Sequence, residues 1–231
     1  MSKKKLLSLS LVVIMIAILS LSSLAWFNDS DEVTNKFYIA SSEDPSDPDD
    51  IFSVDLWEPV DENNDGVIDE DEKEQVGLEF DNVLPGATYD KEPTVENTGA
   101  YDQYIRVVVT LTDGNAWMEI LGRGYDLSTI FLGHDESKWT RSVGTLVNDE
   151  IIYVYYLNEV LAPGETEVLF TDVKLPTSLT QEDMAKLDGG FDLNIRVDAI
   201  QTENLGDGVD TAQEAFAAAN WGNYVNNEPQ P

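Results

Sequence analysis

Apolar and polar residues alternate in short blocks along this chain, with a period of two far more often than 3.6, which predicts strands rather than helices. Residues 103–112 show it most clearly: Ile105, Val107, Val109 and Leu111 share one face, with Arg106 and Thr110 opposite. In residues 191–199, Phe191, Leu193, Ile195, Val197 and Ala199 alternate with Asp192, Asn194, Arg196 and Asp198, the pattern of a half-buried strand with one wet face. Residues 151–157 form a nearly continuous apolar run containing Tyr153, Tyr155 and Tyr156, as expected of a central strand whose tyrosines pack in the core. Shorter strands are expected at 51–57, at 76–80 through Val76, Leu78 and Phe80, at 92–96, and at 167–174. Leu84-Pro-Gly-Ala87, Asn97-Thr-Gly99 and Ala162-Pro-Gly-Glu165 punctuate them as turns.

Three helices are expected. Residues 116–121 form one, and Thr180 caps a second through Lys186 with Asp183 at its third position. Thr211-x-x-Glu214 is a capping box ahead of Ala212, Ala215, Phe216 and Ala219, which share one helical face. Many short strands, few helices and Pro-Gly turns predict an antiparallel β-sandwich.

The first forty residues depart from this pattern. Lys3, Lys4 and Lys5 precede the unbroken apolar run 11–19, and small residues follow up to Ala25. That is the layout of a secretory signal peptide, expected at 1–25, with an uncleaved membrane anchor as the competing reading. Next comes a segment, 26–40, in which Val33, Phe37 and Ile39 fall on one face of an extended chain. Such a strand either pairs with another molecule or folds back as the first strand of its own sheet. The sandwich is then expected over 41–205, with an acidic insertion at 61–72, and a C-terminal helix and tail over 206–231.

Charge narrows the class of partner. The formal net charge is −32, and without the three signal lysines it is −35, because no acid precedes Asp29. Such a surface repels nucleic acid and anionic lipid; neither nucleic acid nor, after signal cleavage, a membrane is an expected partner. No cysteine is present, which excludes disulfides, thiolate metal sites and cysteine nucleophiles.

The sharpest chemical motif is Asp61-Glu-Asn-Asn-Asp-Gly-Val-Ile-Asp-Glu-Asp-Glu72, which fits the twelve-residue calcium loop without a gap. Asp61, Asn63 and Asp65 supply oxygens from positions 1, 3 and 5, and Gly66 permits the sharp turn. Val67 offers its carbonyl, Asp69 acts directly or through water, and Glu72 closes the site with both oxygens. Pro59 stands where an entering helix would run, and no second copy of the loop occurs. A single structural Ca2+ loop is therefore expected rather than a sensor. His134 is the only histidine, there is no H-E-x-x-H pair, and no nucleophile elbow G-x-S-x-G is present, so no catalytic residue is assigned.

Several of these pieces together carry a resemblance. Leu24-Ala-Trp-Phe-Asn-Asp29, Leu84-Pro-Gly-Ala-Thr88, Val95-Glu-Asn-Thr-Gly99, the strand 104–112, Leu161-Ala-Pro-Gly-Glu165 and the segment 191–199 occur in this order. In this the chain resembles the TasA/camelysin (CalY) family of secreted, fibre-forming biofilm matrix proteins exported with a SipW-type signal peptide. The resemblance implies an all-β fold, a jelly-roll or immunoglobulin-like sandwich with a few short helices. It also implies a homo-oligomeric, head-to-tail filament built by donor-strand exchange, with a minor fibre subunit as a further partner. Val33, Phe37 and Ile39 are then the donor anchors, with Phe27 beside them. The expectation is a secreted, extracellular structural subunit. A monomeric surface adhesin and a camelysin-type protease are its rivals, the latter without zinc ligands in this chain. The calcium loop is not carried over from the family.

Overall fold

The computed structural model describes residues 28–32, 52–60, 68–75, 77–78, 80, 83–122, 126–187, 190–203, 205 and 208–219. Thirteen short strands dominate these residues, in the order β1 (Asn28–Glu32), β2 (Asp55–Pro59), β3 (Lys73–Glu74), β4 (Thr88–Asp90), β5 (Thr94–Glu96), β6 (Gln103–Leu111), β7 (Phe131–Leu132), β8 (Trp139–Arg141), β9 (Thr145–Val147), β10 (Glu150–Leu157), β11 (Thr166–Val168), β12 (Asp172–Lys174) and β13 (Leu193–Gln201). Three helices accompany them: α1 (Gly114–Leu121), α2 (Gln181–Lys186) and α3 (Ala212–Ala218).

The principal sheet runs β1-β13-β6-β10-β8, with β9 also on β10, and every pairing in it is antiparallel. Its long strands β6, β10 and β13 are those with the strongest alternation. Their inward residues, including Ile105, Val107, Val109, Tyr153, Tyr155, Ile195 and Val197, join one core with Val54, Leu56 and Val95 from the sheet β11-β5-β2-β3. Phe131 and Val173 from the sheet β4-β12-β7 complete it. The protein is an all-β antiparallel sandwich; of the three tyrosines expected in the core, Tyr153 and Tyr155 are there, each 1% exposed, whereas Tyr156 is half-buried beside Phe216 on the other face of the sheet.

Turn and cap chemistry follows the sequence closely. The Ala87 amide donates to the Leu84 carbonyl at 3.1 Å with Gly86 at φ +77°, a conformation glycine adopts without penalty. In α2 the Asp183 amide donates to the Thr180 hydroxyl, while the Asp183 carboxylate accepts from the Thr180 amide. Thr211 and Glu214 repeat this at α3, with the Glu214 carboxylate reaching back to the Asp210 amide.

Four expectations need correction. In the segment expected as a strand at 76–80, the described residues Gly77, Leu78 and Phe80 are in no strand, and Phe80, 38% exposed, packs edge-on against Tyr89 at the surface. With no partner strand on these residues among those described, alternation alone confers no pairing. The strand expected at 51–57 lies at 55–59 instead. The single strand expected over 167–174 is two strands in different sheets. They are joined by Leu169, Phe170 and Thr171, the first two fully buried, which carry the chain from one sheet to the other. The outer face of β13 is not uniformly wet, because α3 lies over one end of it and Asp198 there is 0% exposed.

A bulge shapes the β8–β9 edge. Arg141 pairs with Tyr155 and Thr145 with Ile152, so three residues, 142–144, face two. The extra residue brings Gly144 onto the Tyr153 ring, where an added Cβ would lie 2.5 Å from the ring carbon Cε1. The ring has no room to retreat, since its hydroxyl donates to Asp126 and accepts from the Ser128 amide. Gly144→Ala is therefore expected to destabilise the fold by about 2 kcal/mol, as overpacking does. Urea denaturation measures it, and an unchanged midpoint would contradict this packing.

Candidate functional site

Two places collect the residues singled out by the sequence: the outer edge of β13 and the base of the acidic insertion.

At the first, β1 lies antiparallel on β13, with Asn28 opposite Ile200, Ser30 opposite Asp198 and Glu32 opposite Arg196. The N-terminal segment thus occupies a sheet edge of its own chain, through residues 28–32 within the expected 26–40. The expected anchors Phe27, Val33, Phe37 and Ile39 lie outside the described residues. In this register Asp29 stands opposite Ala199 and Asp31 opposite Val197, two residues fully buried in the core.

Beneath this edge lies a charged network that the pattern reading placed in solvent. Arg106, 2% exposed, donates from Nε and Nη2 to Asp198 Oδ2 at 3.0 and 2.5 Å. Arg196 Nη2 donates to the same oxygen at 3.0 Å. The Arg106 guanidinium also stacks over the Phe216 ring of α3, 4.4 Å from its centroid. The other oxygen, Asp198 Oδ1, has no hydrogen-bond partner among the described residues. Arg106 is the one charge within β6, but only the β6–β13 register of the folded sheet sets Asp198 directly opposite it.

At the second place, β2 and β3 pair as a two-residue ribbon, Glu58 with Glu74 and Pro59 with Lys73. The Val60 amide donates to the Glu72 carbonyl at 2.9 Å, which ties the two ends of the insertion together. Strands therefore flank the loop where a paired EF-hand has helices. Asp61, Asn63, Asp65 and Val67 lie outside the described residues. Asp69 is exposed and precedes a short 3-10 turn, Glu70–Glu72. Glu72 is 5% exposed, and its Oε2 accepts from the Asp69 amide at 3.1 Å. The carboxylate of the loop's last ligand position thus caps the backbone of its ninth. Among the described residues alone, no three acidic or histidine side chains form a metal-binding group.

Lys73 anchors the end of the insertion to the sheet. Its ammonium pairs with Glu70 at 2.8 Å and Glu96 at 2.7 Å, and these bonds raise its pKa. It sits 5.0 Å from the centre of the Trp57 ring, whose Nε1 also donates to Glu96. Sequence reasoning missed this group, because nothing in the linear pattern relates residues 57, 73 and 96.

A third acidic group braces the sandwich. Lys91 and Glu58 form a buried ion pair at 2.5 Å, and Glu58 Oε2 accepts from the Glu92 amide. Burial raises the Glu92 pKa, and the nearby charges of Asp90, Glu58 and Asp172 raise it further. A carboxylate with a raised folded pKa opposes folding when ionised, fully so above that pKa, and the opposition vanishes below the unfolded value of about 4.3. Glu92→Gln is therefore expected to stabilise the protein at pH 7. The gain over the parent should fade as pH falls through the raised pKa. Parallel denaturation curves at pH 7 and pH 4 test it, and an equal gain at both would refute the cause.

His134 is half-buried: Nδ1 lies 3.1 Å from the Leu169 carbonyl, and the ring packs edge-on against Tyr155. No acid or nucleophile completes a catalytic set around it among the contacts described. Comparison with family models, with curated proteins and with solved structures yields no match.

Proposed function

We propose that this chain is a secreted structural subunit of extracellular fibres, joined head to tail by its N-terminal segment and stabilised by calcium. The observation that carries this reading is the strand pairing of residues 28–32 on the outer edge of β13. That edge accepts an N-terminal strand, yet the resident register sets Asp29 opposite buried Ala199 and Asp31 opposite buried Val197. Val33, Phe37 and Ile39 have the same parity as Asp29 and Asp31. An even advance of the strand brings apolar residues to those core positions, and a strand from a second molecule can make it. Donation of this kind is heterologous and does not close, so it propagates a filament. Calcium in the 61–72 loop rigidifies the insertion and offsets repulsion between subunits of charge −35. Catalysis has no part in this reading.

One observation favours a second reading, a monomeric surface module: β1 pairs within its own chain. Negative-stain electron microscopy separates the two. The chain from Trp26 with calcium should form filaments, and the chain from Ser41 only folded monomers. Monomers from both at high concentration would reject the fibre reading.

A further inference from the structure

Among the described residues the principal sheet has two open edges with different chemistry. One is β1, whose five residues include Asp29, Asp31 and Glu32. The other is β8–β9, beyond which no strand pairs among the described residues. No acid lies between Glu136 and Asp149, an interval that holds Lys138 and Arg141 in a chain of net charge −32. Lys138 is shared with Glu167 and Arg141 with Asp126, so this edge is close to neutral. It also carries exposed apolar side chains. The bulge turns Val143 outward to 86% exposure, the highest among the described large apolar residues, and Leu146 is 44% exposed.

We propose that the β8–β9 edge is a docking surface for a second copy of this chain, and that its occupant is the acidic edge strand Asn28–Glu32 of that copy. Charge permits this occupant. Most faces of two such acidic molecules repel, whereas this edge, where Glu167 offsets Lys138 and Asp126 offsets Arg141, is close to neutral and does not repel an acidic strand. Val143 and Leu146 supply the apolar area that leaves water on contact. Topology sets the direction. Four antiparallel steps separate β1 from β8, so both edges run the same way. Copies related by translation across the sheet therefore bring β1 beside β8–β9 in parallel. The contact is heterologous and extends the sheet from copy to copy. It goes beyond donor exchange and does not require it, since it rests on the resident register of β1 on its own β13.

The chain lacks cysteine, so engineered thiols report this contact cleanly. The test uses the secreted chain in two single-cysteine forms, Val143→Cys and Asp31→Cys, mixed under air oxidation. Disulfide heterodimers should form at least tenfold faster in the mixture than homodimers in either form alone. They should also form tenfold faster than between Asp31→Cys and Leu84→Cys, a thiol on an exposed loop elsewhere. Homodimers of Val143→Cys forming as fast as heterodimers would overturn the assignment in favour of an edge paired with itself. Rates no higher than the Leu84→Cys control would overturn it altogether. Independently, Val143→Glu with Leu146→Glu should weaken self-association at least tenfold in sedimentation velocity, and Asp29→Lys with Asp31→Lys should restore it. Association unchanged by the first pair, or absent in the parent, would also reject the proposal. Because the thiols report only this contact, a failed crosslink beside intact filaments separates this inference from the fibre reading.

Discussion

Asp198→Ala is expected to destabilise the protein by about 3–5 kcal/mol, the largest effect of any single substitution considered. The cost arises because Arg106 stays where it is, 2% exposed between β13 and the Phe216 ring, after its carboxylate is gone. A buried guanidinium without its anion loses the attraction that offset its dehydration. Arg196, partly exposed and bonded to the same oxygen, can turn to water and contributes less. The paired replacement Arg106→Met with Asp198→Leu should recover most of the loss, because it removes both charges while keeping apolar volume under α3. Guanidinium denaturation of the three variants reads this directly. A cost below about 1 kcal/mol for Asp198→Ala would mean that the pair is solvated and that α3 does not cover it. The substitution also tests the acceptor edge, since Ser30 of β1 stands opposite Asp198.

Calcium is the second large effect. A ligand that binds only the folded state stabilises it by about 2.7 kcal/mol when present at a hundred times its Kd. Single extracellular loops bind in the range of about 10⁻⁴–10⁻³ M, so tens of millimolar calcium approaches this value. Tm should rise with calcium, and Glu72→Gln should abolish the rise while leaving the calcium-free Tm within a few degrees. Glu72 suits the test because its side chain already turns over the loop, with Oε2 on the Asp69 amide. Calorimetry supplies the direct readout. No heat at millimolar calcium would remove the metal from the proposed function and leave the strand-edge argument standing.

These effects differ in how far the linear sequence announced them. The twelve-residue motif was legible because the ligand positions of a calcium loop are local: their spacing along the chain nearly sets the geometry such a site needs. The core faces of β6, β10 and β13 were visible for a similar reason, since a period of two reports which residues point inward whatever the partner strand. The capping boxes at Thr180 and Thr211 act within one turn and needed no tertiary information.

Partnership between distant segments was not visible. The pair Arg106 and Asp198 bonds across 92 positions, and the group of Trp57, Lys73 and Glu96 is gathered from three strands. Whether a charge on an outer face is wet depends on what covers that face. Here α3, far along the chain, buries Asp198 while leaving Thr110 on the same face of the sheet partly exposed. Alternation did not make a strand of Gly77, Leu78 and Phe80 for the converse reason, since no strand pairs with them among the described residues.

By itself, then, the sequence determined an all-β sandwich, its turns and caps, its acidic surface and a calcium loop motif, all set by local periodicity, backbone preference and spacing. The tertiary structure alone decided which edges stay open, where the N-terminal segment rests and which charges are buried. Those outcomes depend on contacts between residues far apart in the chain, whose energies no local pattern records.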